Sequence, residues 1–424
     1  MQRLLAKIAI SLLLAVTVAS AAIAGGGRPG LDPPKTSSLI ANIDDFREPR
    51  RLPVSAIDPE LAAMIGQMIV VGFSGDSVKN SEVKRLRQMI VNGRIGGVML
   101  FRRNLLNHRQ VKELTRFLTP SDAAIMPLIA IDQEGGKVQR LSSKLGYVRI
   151  PSARRVAGFL DESAAGNTYA VMARELERSG FNVNFGPVVD VDVNPASPVI
   201  GAAGRSFSNN PDRVIAYATE FLRAHQQMAV LTAAKHFPGH GSARVDSHSK
   251  FTDIGGTWSE QELLPFRGMI AAGVDMIMVG HLYHPRFSDG ADVPASLSKR
   301  AVTDSLRHDL GFKGVVITDD LQMRSIERNR TLDEVVVMAV NAGNDVLLYG
   351  NDLHNDPGIA SKVFQIIAAA VADGRISRAR VAEAYGRIVT MKQRLAARMP
   401  DAAEDFRPLR HAVPTAFPGH RRPV

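Results

Sequence analysis

From about Leu61 onward the chain alternates short, wholly apolar runs with longer segments of helical spacing. The runs are QMIVVGF (67–73), GGVMLF (96–101), PLIAIDQ (127–133), FNVNFGPVVDV (181–191), VLTAAKHF (230–237), VDMIMVGH (274–281), GVVITDD (314–320) and NDVLLYG (344–350). Strands apolar on both faces suit a parallel sheet covered by helices. Segments 82–92, 108–118, 163–179, 211–228, 260–272, 298–310 and 333–342 carry the helical spacing between them. Eight β-then-α units predict an α/β chain folded as a (β/α)8 TIM barrel, with an open doubly wound sheet as the structural rival. A long helical stretch after Asp356 is expected to pack outside the barrel.

The two ends read differently. Arg3 and Lys7, the apolar run Ile8–Val18 and the small residues around Ala22-Ile23-Ala24 predict a signal peptide over 1–24, hence an exported protein, periplasmic or secreted, after cleavage near Ala24. Residues 25–53 read as a linker or arm, 54–394 as the barrel domain with its C-terminal helices, and 395–424 as a disordered tail. GGGRPG, in the arm, matches a dinucleotide fingerprint in letters but has no strand before it and no helix after it. No later stretch reaches the ~20 apolar residues of a membrane span, so no stable membrane insertion is expected.

The net charge of +10 falls to +8 without Arg3 and Lys7, and it is spread without a basic stripe or interleaved aromatics. That pattern argues against nucleic acid as a partner. There are no cysteines, which excludes disulfides and thiolate metal sites. A monomer is expected.

Polar residues gather where the strands end, which in such a barrel is where chemistry takes place. Asp132 closes the third run, Asp190 and Asp192 the fourth, Lys235 and His236 the fifth, His281 the sixth, and Asp319 with Asp320 the seventh, while Arg205 lies in a glycine-rich loop. Asp320, and Asp190 or Asp192, read equally well as caps of following helices. His281 also reads as a buried histidine bonded to backbone, and His284, His308 and His354 as surface residues.

The stretch AAKHFPGHGSARVDSHSKF (233–251) concentrates imidazoles, a carboxylate and an amine on a segment whose glycines and proline bar a helix. His236, His240, Asp246 and His248 are possible metal ligands, but no helix sets them at ligand spacing and the zinc-hydrolase glutamate is replaced by Phe237. The expectation is therefore no metal and no cofactor. Asp246-Ser247-His248 reads instead as a general acid/base, a carboxylate fixing the tautomer of an imidazole. A serine nucleophile at Ser242 or Ser247 lacks a strained elbow.

KHFPGHG followed by DSH, with IDQEGG upstream, GRSF between and ITDDLQM downstream, resembles the bacterial β-N-acetylhexosaminidases of glycoside hydrolase family 3, from about Ala62 to Arg394. The resemblance implies a retaining exo-β-N-acetylglucosaminidase acting on N-acetylglucosamine-containing glycans of peptidoglycan or chitin type. Asp319 would be the nucleophile, His248 the acid/base and Asp246 its orienting partner. Asp132, Arg205, Lys235 and His236 would contact the sugar. The loop 238–250 is expected to be mobile and to bring His248 in with substrate. A phosphorylase or β-glucosidase of the same fold, and a non-catalytic glycan-binding module, remain the alternatives.

Overall fold

The computed structural model describes residues 57–247, 251–290, 292–326 and 330–399. The expected signal peptide and arm, His248 and the residues from 400 onward lie outside the described residues.

All eight apolar runs contain strands: β1 Ile69–Gly72, β2 Gly97–Leu100, β3 Leu128–Ile131, β4 Val183–Asn184, β5 Leu231–Phe237, β6 Met276–Val279, β7 Val315–Thr318 and β8 Leu347–Tyr349. They are parallel and lie in the order β7-β6-β5-β4-β3-β2-β1-β8. Every residue of these strands is buried, which is the reason their sequences show no polar face. Between β7 and β8 the ring is completed by one bridge, Ile317 with Val346, and by Thr318 N–H donating to Val346 O at 3.0 Å. The sheet is thus a barrel rather than the open alternative.

Where strand hydrogen bonding thins, side chains replace it. β4 is far shorter than its apolar run because Pro187 has no N–H for the ladder, which resumes only at a Val188–Lys235 bridge. Asn182 and Asn184 tie β3 to β4 instead: Asn182 Oδ1 accepts from Ile129 N at 2.7 Å and Asn184 Oδ1 from Gln133 N at 3.0 Å. At the β7–β8 seam the wholly buried Asp345 accepts from Val316 N at 3.0 Å, Arg307 at 2.5 Å, Arg380 at 2.8 Å and Arg387 at 3.1 Å.

The helices fall where the spacing placed them, including Ser81–Val91, His108–Phe117, Glu162–Arg178, Pro211–Gln227 and Leu332–Ala342. Their starts are written in the sequence. Asn80, Asn107, Asp161 and Asn210 each accept a backbone N–H of the first turn, and Thr331 with Glu334 forms a capping box, contributions of roughly 1 kcal/mol apiece. The 298–310 segment is a helix of wider, π-type winding, Arg300–Asp309. Two helices escaped the pattern: Pro59–Gln67 and Ala153–Phe159.

After β8 come Ile359–Ala372 and Arg378–Arg398, the latter passing the expected domain end at 394. Its buried stripe, Val381, Ala384, Ile388, Met391 and Leu395, includes one charged residue, Lys392. Lys392 Nζ donates to Gln67 Oε1 at 2.7 Å and to Gly96 O at 2.8 Å, just before β1 and β2 begin. No helix among the described residues is long and apolar enough to cross a membrane.

Candidate active site

A cavity of about 170 Å³ opens at the carboxyl ends of the strands, walled by Asp132, Glu134, Arg140, Arg205, Lys235, His236 and Asp319 with Met99, Phe101, Phe185 and Met278 beneath. Five of the seven site residues expected from the sequence are therefore together. Asp246 is half-buried on the loop after β5, and its expected partner His248 lies outside the described residues.

One wall is a chain of charges. Lys235 Nζ lies 2.8 Å from both Asp132 Oδ1 and Glu134 Oε1, and Arg205 grips Glu134 through two parallel contacts of 2.8 Å. Arg140 reaches the other oxygen of Asp132 at 3.3 Å. Burial favours the neutral forms, but opposite charges at these distances win. Burial would raise Glu134, yet Arg205 and Lys235 hold its carboxyl far below the usual range. Asp132 is likewise lowered by Lys235 and Arg140 against burial, and Lys235 is raised by the two carboxylates against the same penalty. Asp132, Glu134, Arg205 and Lys235 are thereby held in their charged forms, and their contacts fix donors and acceptors along the wall.

His236 is fixed by Asp190. Its backbone N–H and Nδ1 lie 3.0 and 2.7 Å from the two Asp190 oxygens, so Nδ1 carries the proton and Nε2 remains for a ligand. Asp190 Oδ1 also accepts from His240 N at 2.8 Å. Asp190 is thus a support for the β5 end, not a helix cap. His240 points at Ser247 Oγ, 2.9 Å away, and burial lowers it to about 4. Among the described residues no group of three or more His, Asp or Glu side chains could hold a metal ion.

Opposite the charged wall, Asp319 leaves the end of β7. Its backbone N–H donates to Val279 O at 2.9 Å, and its Oδ1 accepts from Asp320 N at 2.8 Å, which fixes the carboxylate at the strand end. Asp320 accepts from Gln322 N and Gly350 N, and burial pushes it up to about 6. No helix starts there, so the capping reading of Asp320 fails too. Asp192 pairs with Arg154 at 2.5 Å. His281 is buried between Ser296 Oγ and Asp320 O, as one of its readings expected.

The family model for the Glycosyl hydrolase family 3 N terminal domain matches residues 60–391. The chain belongs to glycosyl hydrolase family 3. Among family 3 relatives, Beta-hexosaminidase A of Pseudoalteromonas piscicida is 32% identical over 377 residues, covering 78% of this chain and 61% of that protein. A Beta-hexosaminidase of Neisseria meningitidis serogroup C is 35% identical over 62% of this chain and 74% of its own length. A family 3 beta-N-acetylglucosaminidase from Paenibacillus sp. str. FPU-7 superposes with a TM-score of 0.73 at 34% identity, covering 82% of this chain and 64% of that one. The Beta-N-acetylhexosaminidase of Beutenbergia cavernae superposes at 0.70 with 28% identity, over 78% of this chain and 98% of that one. The chain thus spans less than two thirds of the first of these proteins and of the Paenibacillus enzyme.

Glu134 and Arg140 belong to the cavity wall but were not singled out in the sequence. A signal was present: Asp132 and Glu134 are two apart on extended backbone, which puts them on one face.

Proposed function

We propose that the chain is a retaining exo-β-N-acetylglucosaminidase that removes terminal N-acetylglucosamine from peptidoglycan- or chitin-type fragments. The observation that supports this reading is one cavity of about 170 Å³ lined both by a fixed carboxylate, Asp319, and by the charged side chains of Asp132, Glu134, Arg140, Arg205 and Lys235. Asp319 attacks the anomeric carbon as the bond to the leaving oxygen breaks, giving a glycosyl-enzyme ester. His248, oriented by Asp246, gives the leaving oxygen its proton, then takes one from the water that cleaves the ester. Asp132, Arg205, Lys235 and His236 hold the sugar. Names of relatives support the N-acetyl sugar: Beta-hexosaminidase A and the Paenibacillus beta-N-acetylglucosaminidase.

The test is release of 4-nitrophenol from the N-acetyl-β-glucosaminide beside the matching glucoside, without phosphate. Turnover of the N-acetyl sugar alone, reduced by about 10³-fold or more in Asp319→Asn, is the expected result. Turnover that requires phosphate would make the chain a phosphorylase. Binding without turnover would leave a glycan-binding module.

A further inference from the structure

The loop after β5 is clamped by a second carboxylate that does not reach the cavity. Glu262, in the turn Glu260–Leu263, is wholly buried, and its Oε2 accepts from Ser242 N at 3.3 Å. It also backs Gly239: a Cβ there, at φ +122°, would stand 2.7 Å from the Glu262 Cβ. On the far side of the same loop, a Cβ on Gly241 would stand 1.6 Å from Val191 O. The loop is thus pressed between the β4 connection and Glu262, and only glycine fits at either point. Trp258 Nε1 adds a hydrogen bond to Pro238 O at 3.0 Å, and His240 ties the start of the loop to Ser247. These contacts hold the described part of the loop, up to Ser247.

A buried carboxylate needs a reason. Among the described residues no cation pairs with Glu262 and its Oε1 has no hydrogen-bond partner. Burial, with the Asp190 charge adding to it, pushes Glu262 up to about 7. A leucine of similar volume would avoid that cost, so stability alone does not account for a glutamate here. What glutamate supplies and leucine cannot is an acceptor for the Ser242 N–H, four residues before Asp246.

We propose that Glu262 is a positioning residue for the acid/base unit, holding the Pro238–Ser247 loop through Ser242 so that Asp246 is presented at the leaving-group side of the cavity. This rests on the reading of Asp246 as part of that unit. A misplaced acid/base penalises poor leaving groups and spares activated ones, whereas loss of folded protein lowers both equally. The measurement is the ratio of kcat/KM on N,N′-diacetylchitobiose to that on the 4-nitrophenyl glycoside, with thermal unfolding alongside, for the full chain and its Glu262→Gln, Glu262→Leu and Asp246→Asn variants. Glu262→Gln, which keeps an acceptor, should hold the ratio within about twofold. Glu262→Leu should lower it about tenfold while leaving the melting temperature unchanged or higher. A wild-type ratio in Glu262→Leu would overturn the positioning role. An unchanged ratio in Asp246→Asn would overturn the acid/base assignment itself, and the proposal with it.

Discussion

Two lysines are buried to the same degree at opposite ends of the barrel, Lys235 where β5 ends and Lys392 beneath the starts of β1 and β2, each with 3% of its surface exposed. Lys235 sits between two carboxylates and is held charged. Lys392 has only an amide and a carbonyl oxygen, and burial pushes it down to about 7. The ammonium at the cavity is fixed in charge and place by its two carboxylates. The one at the base is tolerated because it can shed its proton. Identical burial gives opposite titration because the neighbours differ.

The largest effect expected from breaking this comparison is at the cavity. Lys235→Met strands Asp132 and Glu134 with only their arginines; it should cost about 3–5 kcal/mol by denaturant unfolding and lower kcat/KM by about 10³-fold. An unfolding midpoint like the wild type's would mean the arginines suffice.

At the base the effect is smaller and reverses with pH. For Lys392 the folded value lies below the ordinary 10.5, so the unfolded chain binds the extra proton between pH 7 and 10.5, and stability rises with pH across that window. The penalty below pH 7 is on the order of 5 kcal/mol, offset in Lys392→Met by about 1–3 kcal/mol for leaving Gln67 and Gly96 O unpaired. Unfolding curves should therefore show Lys392→Met more stable than wild type at pH 6 and less stable at pH 10. The same sign at both values would refute a neutral lysine.

Smallest in net stability is the change that makes the base resemble the cavity. Gln67→Glu places a carboxylate where an amide now accepts at 2.7 Å. It should shift stability at pH 7 by no more than about 1 kcal/mol, because a buried ion pair roughly balances its own desolvation. The lysine-specific rise between pH 7 and 10 should disappear. Persistence of that slope would show that proximity alone does not restore the charge.

Both lysines stand in the sequence, and only one was legible. Lys235 ends an apolar run beside His236, where a charged residue is out of place. Lys392 continues the Val381, Ala384, Ile388, Leu395 stripe at helical spacing, but a long basic side chain near a helix end reads as solvated. The eight strands were legible because burial on both faces leaves no polar residue to blur them. β4 was read too long because Pro187 breaks a ladder that an apolar pattern cannot show as broken. Asp190 looked like a cap because its three donors come from residues 46 and 50 positions away. Glu262 gave no signal, since the two glutamates of SEQELL suit a solvated first turn.

The seam between β7 and β8 sets a clock as well as a shape. β1 gains its outer neighbour only when residues 347–349 arrive, and the Asp345 cluster that fastens the seam needs Arg380 and Arg387 from the helix Arg378–Arg398. While the chain is being made, the sheet grows strand by strand from β1 to β7 with two open edges and nothing to join them. The ring can be locked only when residues 378–398 have left the ribosome. For most of its synthesis the sheet has open, adhesive edges, and the helix Arg378–Arg398 ends that exposure.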